Sequence, residues 1–275
     1  MKNFKVGIVQ MNVGNDKVKN IEKAIRMIKE AADNGAELVL LPEIFMCPYN
    51  NQCFSEYAEE FPGETSKAMM KAAKESSIYL LAGSIPEKSD GKIYNSSYFY
   101  NREGVLIAKH RKMHLFDINI EGGQKFKESD VLTPGDDFTV VDTDLGKIGI
   151  AICYDVRFPE YFRAMTMLGA EVVLLPAAFN MTTGPAHWEM SIRMRAVDNQ
   201  IYMIAAAPAR DESSSYVSYA NSMVVSPWGT IEASAGIDEK ILYSEVNSGK
   251  LAKVRKELPL LKHLRKDKYA LKINV

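Results

Sequence analysis

Apolar and polar positions along the chain form two segments that predict the same order of elements. The first segment contains apolar runs at Lys5–Gln10 and Gly35–Phe45, and the second contains matching runs at Lys147–Ile152 and Gly169–Phe179. Short runs rich in Val, Ile and Leu are typical of buried strands. Each segment therefore predicts two strands joined by a connection that is long enough to hold a helix.

Both connections have helical character. In the first, the apolar positions recur at spacings of three and four and predict one buried helix face: Val18, Ile21, Ile25, Ile28 and Ala32. Asn15 or Asp16 is its predicted cap. The second connection contains Tyr161–Leu168, which is also predicted to be helical. A strand, a crossover helix and a parallel strand form a right-handed unit, so the sequence predicts an internal pseudo-twofold duplication.

The remaining pattern predicts further strands and helices in alternation. The strands are Ile78–Gly83, Ser97–Tyr100, Gly104–Lys109, Phe138–Asp142, Ile201–Ala206, Ser222–Ser226 and Ile241–Val246. The helices are Glu64–Glu75 and His187–Asn199, and the core positions predicted on the second are Met190, Met194 and Val197. This order favours one α/β domain in which two sheets face each other and helices cover the outside.

We place this domain at residues 1–246, followed by a C-terminal helix and tail at 247–275. Basic and apolar residues alternate after Pro259, and we expect the tail to pack on the domain or on a partner subunit. With 34 basic and 35 acidic residues the net charge is −1, so no global field attracts nucleic acid. Apolar stretches are too short to cross a membrane, and no signal-peptide pattern precedes the first strand. We therefore expect a cytoplasmic protein with a small-molecule ligand.

Cys153 ends a predicted strand, and Asp155 begins a predicted helix directly after it. At such an elbow the partial positive charge of a helix N-terminus would lower the pKa of the thiol and favour the thiolate. The alternative is a buried cysteine that acts as a small apolar residue. Cys47 and Cys53 complete a set without disulfide or zinc spacing, so we expect free thiols and no metal.

Two charged residues also follow predicted strands. Glu43 comes after the first Leu-Leu-Pro run, where burial would raise its pKa toward the range of a general base, although it could instead cap a turn. Lys112 lies in a charged segment, which is more often a solvated surface. Together with the Cys153 thiol, these groups would supply a nucleophile, a proton shuttle and an oxyanion stabiliser for attack on an amide.

Three blocks resemble, in their order, the signature blocks of the nitrilase superfamily of carbon–nitrogen hydrolases: Leu40–Glu43, Arg111–Asp117 and Gly149–Phe158. Further stretches resemble the omega-amidase branch, namely Phe126–Ser129, Phe179–Glu189 and Arg195–Gln200. The resemblance implies a four-layer α-β-β-α sandwich, in agreement with the two predicted sheets. It also implies a homodimer or a higher homo-oligomer.

The resemblance further implies the roles of the site residues. Cys153 is the implied nucleophile, Glu43 the general base and Lys112 the oxyanion stabiliser, and a second glutamate, Glu128, positions the substrate and the lysine. The implied reaction is hydrolysis of a small carboxylated amide through a thioester, with water and without a cofactor. An omega-amide of a 2-oxo acid, such as 2-oxoglutaramate or 2-oxosuccinamate, is the expected substrate. Alternatives are an N-carbamoyl amine hydrolase, a deaminated-peptide amidase, a nitrile hydrolase and a non-enzymatic scaffold.

Candidate substrate-binding residues follow from position along the chain. Tyr49 lies in the loop after Glu43, and Phe116 and Phe179 follow the lysine block and the second Leu-Leu-Pro run. Packing in the core is the alternative for each of them. The backbone N–H of Tyr154 is the expected second donor to the oxyanion.

Arg157 has two interpretations. It could bind a substrate carboxylate, or it could pair with Asp155 or Glu160. A Cys–His pair also remains open, because His114 and His187 could approach the thiol, although a structural or capping role is the expected one.

Overall fold

The computed structural model describes residues 1–122 and 124–273. Its helices are Lys17–Asp33 (α1), Asn51–Glu56 (α2), Glu64–Ser76 (α3), Pro159–Met167 (α4), Gly184–Asn199 (α5) and Ser248–Glu257 (α6). Its strands are Phe4–Gln10 (β1), Leu38–Leu40 (β2), Tyr79–Leu81 (β3), Ile85–Ser89 (β4), Lys92–Tyr100 (β5), Leu106–Arg111 (β6), Asp117–Asn119 (β7), Lys125–Lys127 (β8), Thr139–Thr143 (β9), Gly146–Ile150 (β10), Val172–Pro176 (β11), Tyr202–Ala206 (β12), Met223–Val225 (β13), Ile231–Ser234 (β14) and Lys240–Val246 (β15).

The strands form two large sheets in the described part of the chain. One has the order β15-β1-β2-β3-β5-β4 with β6 paired to β5, and the other has the order β14-β13-β12-β11-β10-β9. β1 is parallel to β2, with Val6 opposite Leu38, and β10 is parallel to β11, with Ile148 opposite Val172. A helix, α1 or α4, connects the strands of each pair. These equivalent units confirm the predicted duplication.

Alternate residues of the central strands face different layers. Leu38 and Leu40 of β2 belong to an apolar cluster that also contains Val172 of β11, so this cluster lies between the sheets. Val39 faces the cluster beneath α1 and α3, and Val173 faces the cluster beneath α4 and α5. Strands buried on both faces explain why these runs are almost continuously apolar. The layers confirm the predicted four-layer α-β-β-α sandwich.

Equivalent glycines bring a helix close to each sheet. A Cβ on Gly7 of β1 would lie 3.0 Å from the Ala31 Cβ of α1. A Cβ on Gly149 of β10 would lie 3.1 Å from the Met165 Sδ of α4. Both contacts are closer than ordinary packing, so the glycines set the spacing between strand and helix in the two halves.

Helix α1 begins as predicted, because the Asp16 side chain accepts a hydrogen bond from the Lys19 N–H at 3.2 Å. Its buried face is different from the predicted one. Val18 is 53% exposed, and the fully buried positions include Ala24 and Ala31. The small alanines allow α1 to lie close to the sheet, which rotates Val18 toward solvent.

The prediction of core positions on α5 was wrong for Met190 and Met194, which are 60% and 46% exposed. Val197 is half-buried. The buried face instead contains Trp188 and Ile192, one turn apart. Burial of this face removes more apolar surface from water, because the Trp188 side chain is larger than a methionine. Helix α5 is therefore apolar on two faces, of which only one meets the sheet.

Several short elements were not predicted from the pattern. Strands β7 and β8 are polar, pair with each other and form a separate hairpin. Strand β4 contains Pro86, Glu87 and Lys88, and it lies at the edge of its sheet, where proline is tolerated. Helix α2 and strand β14 also lack a strong apolar period. Pairing with neighbouring strands determines the short strands, whereas α2 begins at the Asn50 side chain, which accepts from the Cys53 N–H.

The C-terminal helix α6 buries Leu251 and Val254, and the side chain of Arg255 donates to the Gln200 carbonyl at 3.0 Å. The following tail lies along α4. Residues 274 and 275 of the predicted tail are outside the described residues, and the predicted division at residue 246 stays a prediction. In the described part of the chain, every helix is too short or too polar to span a lipid bilayer.

Candidate active site

Glu43 follows β2 at the end of the sheet and is buried. Its Oε1 atom accepts hydrogen bonds from Lys112 Nζ at 2.9 Å and from Asn95 Nδ2 at 2.8 Å, and it lies 3.2 Å from the Tyr49 hydroxyl, whose single proton is donated to Glu128. Its Oε2 atom is buried without a hydrogen-bond partner among the described residues. The carboxylate therefore keeps one oxygen free to accept a proton.

Lys112 directly follows β6 and is fully buried. Its Nζ atom lies 2.9 Å from Glu43 Oε1 and 2.9 Å from Glu128 Oε1. Burial alone would lower the pKa of Lys112, but the carboxylates of Glu128 and Glu43 hold that pKa well above its usual value. The alternative interpretation of the charge run, a solvated surface, therefore does not apply to Lys112. Lys112 supplies a buried positive charge between two carboxylates.

Glu128 begins a short 3₁₀ turn after β8 and is fully buried. Its Oε2 atom accepts from the Phe116 N–H at 2.6 Å, while its Oε1 atom accepts from Lys112 and from the Tyr49 hydroxyl. Both carboxylate oxygens of Glu128 are therefore engaged. Burial raises the pKa of Glu43, the charge of Glu128 raises it further, and Lys112 opposes both effects. Of the two glutamates, Glu43 is the one suited to take up a proton.

Cys153 follows β10 and is buried with φ of 45°. This left-handed conformation is uncommon for a residue with a side chain, and such strain is often found at functional sites. The Glu43 carboxylate and the Ala178 backbone are near enough to the thiol to affect its pKa. The elbow predicted from the sequence therefore brings the thiol to the glutamate.

The predicted cause of thiol activation was wrong. Cys153 begins a short 3₁₀ turn, Cys153–Arg157, and the regular helix α4 starts only at Pro159. Burial raises the pKa of Cys153 well above its ordinary value, and the Glu43 carboxylate raises it further, whereas Lys112 lowers it. These effects favour the thiol form of Cys153, and a neighbouring base would be needed to form the thiolate.

The four predicted substrate-binding residues surround this centre in different ways. Tyr49 contributes its hydroxyl to the carboxylate network, as described above. The Phe116 and Tyr154 rings lie 5.3 Å apart in an edge-on arrangement. The Phe179 ring packs 5.0 Å from that of Trp188. Tyr49 is therefore part of the polar centre rather than only an apolar wall.

Arg157 pairs with neither of its predicted partners. Its Nη1 atom lies 3.0 Å from His187 Nδ1, which must accept because guanidinium nitrogens only donate. Its guanidinium lies 5.0 Å from the Phe179 ring centroid and 5.5 Å from that of Tyr154. Its buried Nε atom has no hydrogen-bond partner among the described residues. Arg157 is a cation held by aromatic rings and an imidazole.

The histidines have partners other than the thiol. His114 Nδ1 lies 2.8 Å from Asp155 Oδ1, and the His114 ring stacks on Phe158 at 3.7 Å. His187 accepts from Arg157. These contacts favour Glu43 over a histidine as the base. Among residues 1–122 and 124–273, no group of His, Cys, Asp and Glu is arranged to hold a metal ion.

Sequence reasoning missed two residues at the site. Asn95 is a buried amide within β5. The sequence feature that could have identified it is the run of polar residues inside this strand. Tyr216 lies in a Ser-rich loop with its ring centroid 4.7 Å from that of Tyr49, and its hydroxyl donates to the Ala178 carbonyl. Burial and the nearby Cys153 and Glu43 raise the pKa of Tyr216 well above its usual value. The composition of that loop indicates only a surface turn.

Comparison with known proteins gives consistent matches over the whole chain. The model of the carbon–nitrogen hydrolase family matches residues 5–256. Omega-amidase NIT2 of Mus musculus is 47% identical over 269 residues, which are 98% of each chain. Omega-amidase NIT2 of Homo sapiens is 45% identical over 273 residues, or 99% of each chain.

Solved structures give the same result for the fold. Nit3 of Saccharomyces cerevisiae, described as a member of branch 10 of the nitrilase superfamily, is 41% identical with a TM-score of 0.89, covering 96% of this chain and 97% of that one. The C. elegans NitFhit protein is 32% identical with a TM-score of 0.91, covering 100% of this chain and 68% of that one.

Proposed function

This chain belongs to the carbon–nitrogen hydrolase family, and on that premise we propose that it is an amidase in which Cys153 is the nucleophile. The reaction converts a small carboxylated amide to the acid and ammonia. The observation that carries the proposal is the unpartnered Oε2 atom of Glu43 beside a buried thiol, with the Lys112 ammonium in contact with the same carboxylate. A base, a nucleophile and a fixed positive charge are the groups that this chemistry needs.

The first half of the proposed mechanism forms a thioester. Glu43 takes the proton of the Cys153 thiol, and the thiolate attacks the amide carbon. The negative charge that develops on the amide oxygen is stabilised by Lys112 and by the backbone N–H of Tyr154, and one such donor contributes about 3–4 kcal/mol. Protonated Glu43 then gives its proton to the leaving nitrogen, and ammonia departs.

The second half consumes a water molecule. Glu43 removes a proton from water, the hydroxide attacks the thioester carbon, and the carbon–sulfur bond breaks. The proton held by Glu43 returns to the sulfur, which regenerates the thiol and releases the acid. Glu128 does not exchange protons in this scheme, because both of its oxygens are occupied, and it holds Lys112 and Tyr49 in place.

The environment of Arg157 favours a substrate that carries a carboxylate. It lies four residues after Cys153, its charge has no ion-pair partner among the described residues, and a buried N–H is left without an acceptor. A substrate carboxylate would satisfy both the charge and the N–H. Proteins at 45–47% identity are named omega-amidases. We therefore propose omega-amides of 2-oxo acids as the substrate class.

Ammonia release from 2-oxoglutaramate and 2-oxosuccinamate tests this assignment. The comparison substrates are glutamine, N-carbamoyl-β-alanine, a deaminated-peptide amide, a simple aliphatic amide and a nitrile. We expect the oxo-acid amides to have the highest kcat/KM. A higher value for N-carbamoyl-β-alanine or the peptide amide would keep the mechanism and change the substrate class, whereas no turnover of any of them would overturn the proposal.

Within this assay, Arg157→Gln is expected to raise KM for the oxo-acid amides by about 10- to 100-fold, because a charge-assisted pair contributes about 1.5–3 kcal/mol. The simple aliphatic amide lacks the carboxylate, so its kinetics should change little. Arg102→Gln, at a surface arginine paired with Asp144, is the matched control. An equal loss on both substrate types would show that Arg157 does not recognise the carboxylate.

We also propose that two copies associate through the outer face of α5. Met190 and Met194 on this face, and Trp228 beside them, line one groove, and Trp228 is 59% exposed. Adjacent large apolar side chains at a surface are typical of an interface, and a twofold pair would bury the same patch on each copy.

Met194→Glu is expected to convert the dimer to a monomer, measured by light scattering at micromolar concentration. The charge would have to be buried in the interface, which is unfavourable without a partner. Val105→Glu is the control, because Val105 is exposed at a turn outside this groove. A wild-type monomer, or dissociation by both variants alike, would contradict the proposed face.

A further inference from the structure

Asp155 is a fully buried carboxylate beside the site that the mechanism above does not use. Its Oδ2 atom accepts from the Ile152 N–H at 2.9 Å, directly before the nucleophile in the chain. Its Oδ1 atom accepts from the His114 N–H at 2.9 Å and lies 2.8 Å from His114 Nδ1. One carboxylate therefore contacts the segment that carries Cys153 and the segment that carries Lys112.

The contact on the cysteine side joins Asp155 to Ile152, which lie on either side of Cys153 in the chain. The Asp155 N–H donates to the Ile152 carbonyl at 3.0 Å, while the Asp155 side chain accepts from the Ile152 N–H. These reciprocal hydrogen bonds bracket Cys153, which has the left-handed φ of 45°. A strained residue persists only where its surroundings hold it, and here Asp155 supplies that restraint.

The contact on the lysine side is made by His114, two residues after Lys112 in the chain. Only Met113 separates Lys112 from His114, whose backbone N–H and ring both meet the Asp155 carboxylate. The His114 ring is in turn stacked on Phe158, which follows the elbow. The path of the chain after Lys112 is thereby fixed relative to the thiol.

The surroundings keep Asp155 ionised. Burial would raise its pKa, but the hydrogen bonds from His110 and His114 and from the Ile152 backbone hold that pKa well below its usual range. His110 Nε2 lies 3.5 Å from Asp155 Oδ2, and its other ring nitrogen lies 3.1 Å from Thr139 Oγ1. A permanent negative charge strengthens each of the backbone hydrogen bonds that it accepts.

We propose that Asp155 is a positioning residue for the amidase reaction, which fixes the Cys153 thiol relative to the Lys112 ammonium by tying the two chain segments together. It touches neither the substrate nor the reacting atoms. This inference rests on the proposed function. Loss of the tie should impair the chemical step more than substrate binding, because a displacement of about 1 Å at the reacting atoms can cost about 100-fold in rate.

The test uses Asp155→Asn, which has nearly the same shape but no charge and presents an N–H₂ group to a backbone donor. We expect kcat per folded active site to fall about 30- to 100-fold, with KM within about threefold of wild type. Folded protein is measured by circular dichroism and thermal melting. Wild-type kcat per folded site, or a loss confined to KM, would overturn the proposal.

A second readout does not depend on turnover. Alkylation by iodoacetamide, followed by peptide mass spectrometry, reports the reactivity of Cys153, with half-buried Cys53 as the internal control. We expect Asp155→Asn to slow alkylation of Cys153 about tenfold or more and to leave Cys53 unchanged, because the displaced thiol loses Glu43 as its base. Equal rates at Cys153 in wild type and variant would contradict the positioning role, even if the wild-type protein hydrolysed none of the amides.

Asp155→Glu covers the case in which the asparagine variant does not fold. This variant keeps the charge and the acceptor atoms but moves them by one methylene group. The proposal expects kcat per folded site to fall at least about tenfold, with KM nearly unchanged. Full activity in folded Asp155→Glu would show that the position of this carboxylate does not matter and would overturn the inference.

Discussion

Cys153→Ala is expected to reduce amide hydrolysis by about 10⁴-fold or more and to leave the protein folded. Without the sulfur no thioester forms, and the remaining groups can only polarise the amide. The substitution removes one buried atom at the end of a strand, so we expect a loss of stability below about 2 kcal/mol. Ammonia release and thermal melting measure the two effects.

Cys53→Ala is the matched control, because Cys53 is a free, half-buried cysteine on α2. It should retain wild-type kinetics. Trapping experiments add a direct observation, since wild-type protein quenched during turnover should carry the mass of the acyl group on the peptide that contains Cys153. Residual activity of Cys153→Ala above about 1% of wild type would assign the nucleophile to another residue.

Lys112→Met is expected to lose both activity and stability. The substitution leaves the carboxylates of Glu43 and Glu128 buried beside each other without the ammonium, and removal of one member of a buried ion pair costs about 3–5 kcal/mol. Urea denaturation measures this loss. Lys29→Met, at an exposed lysine paired with Asp33, should cost no more than about 1 kcal/mol.

The stability of Lys112→Met should also depend on pH in a defined direction. Burial already raises the folded-state pKa of Glu43, and loss of the opposing Lys112 charge raises that pKa further, so the protonated form of Glu43 favours the folded state at low pH. That contribution is lost as the pH rises through the folded-state pKa of Glu43. The variant should therefore be closest to wild type in mildly acid buffer and furthest from it in alkaline buffer.

Adding Glu128→Gln to Lys112→Met separates charge from shape. The double variant buries one carboxylate fewer, so it should recover part of the lost stability while remaining inactive. A double variant as unstable as Lys112→Met would show that the loss arises from packing around the lysine stem and not from the unpaired charges.

The sheets and the main site residues could be predicted from the sequence because they depend on local pattern. The apolar runs before Glu43 and Cys153 are long enough to identify strands, and the duplication indicates that the two residues follow equivalent parts of the two halves. The resemblance then added Glu128, and it favoured the functional interpretation of Lys112, whose charged segment on its own is more often a surface.

Other features depend on contacts between distant segments. Tyr216 reaches the site from a loop whose composition indicates only a turn. Met190 and Met194 have helical spacing, but the competing face of α5 contains Trp188 and is the one that is buried. The pKa of Cys153 is raised because burial outweighs the effect of a short 3₁₀ turn, and neither the depth of burial nor the turn length was encoded in the local pattern.

The duplicated architecture divides the proposed reactive groups between its halves. Glu43 comes from the first half and Cys153 from the second, whereas the equivalent positions hold fully buried Ala177 and Met11. Each repeat thus donates one reactive group. At the position equivalent to the other repeat's reactive group, it has a buried apolar residue that only packs in the core. Neither repeat alone contains both Glu43 and Cys153. Activity therefore reports on the association of both halves, and a protease cut that let them separate would abolish catalysis without touching a single reactive side chain.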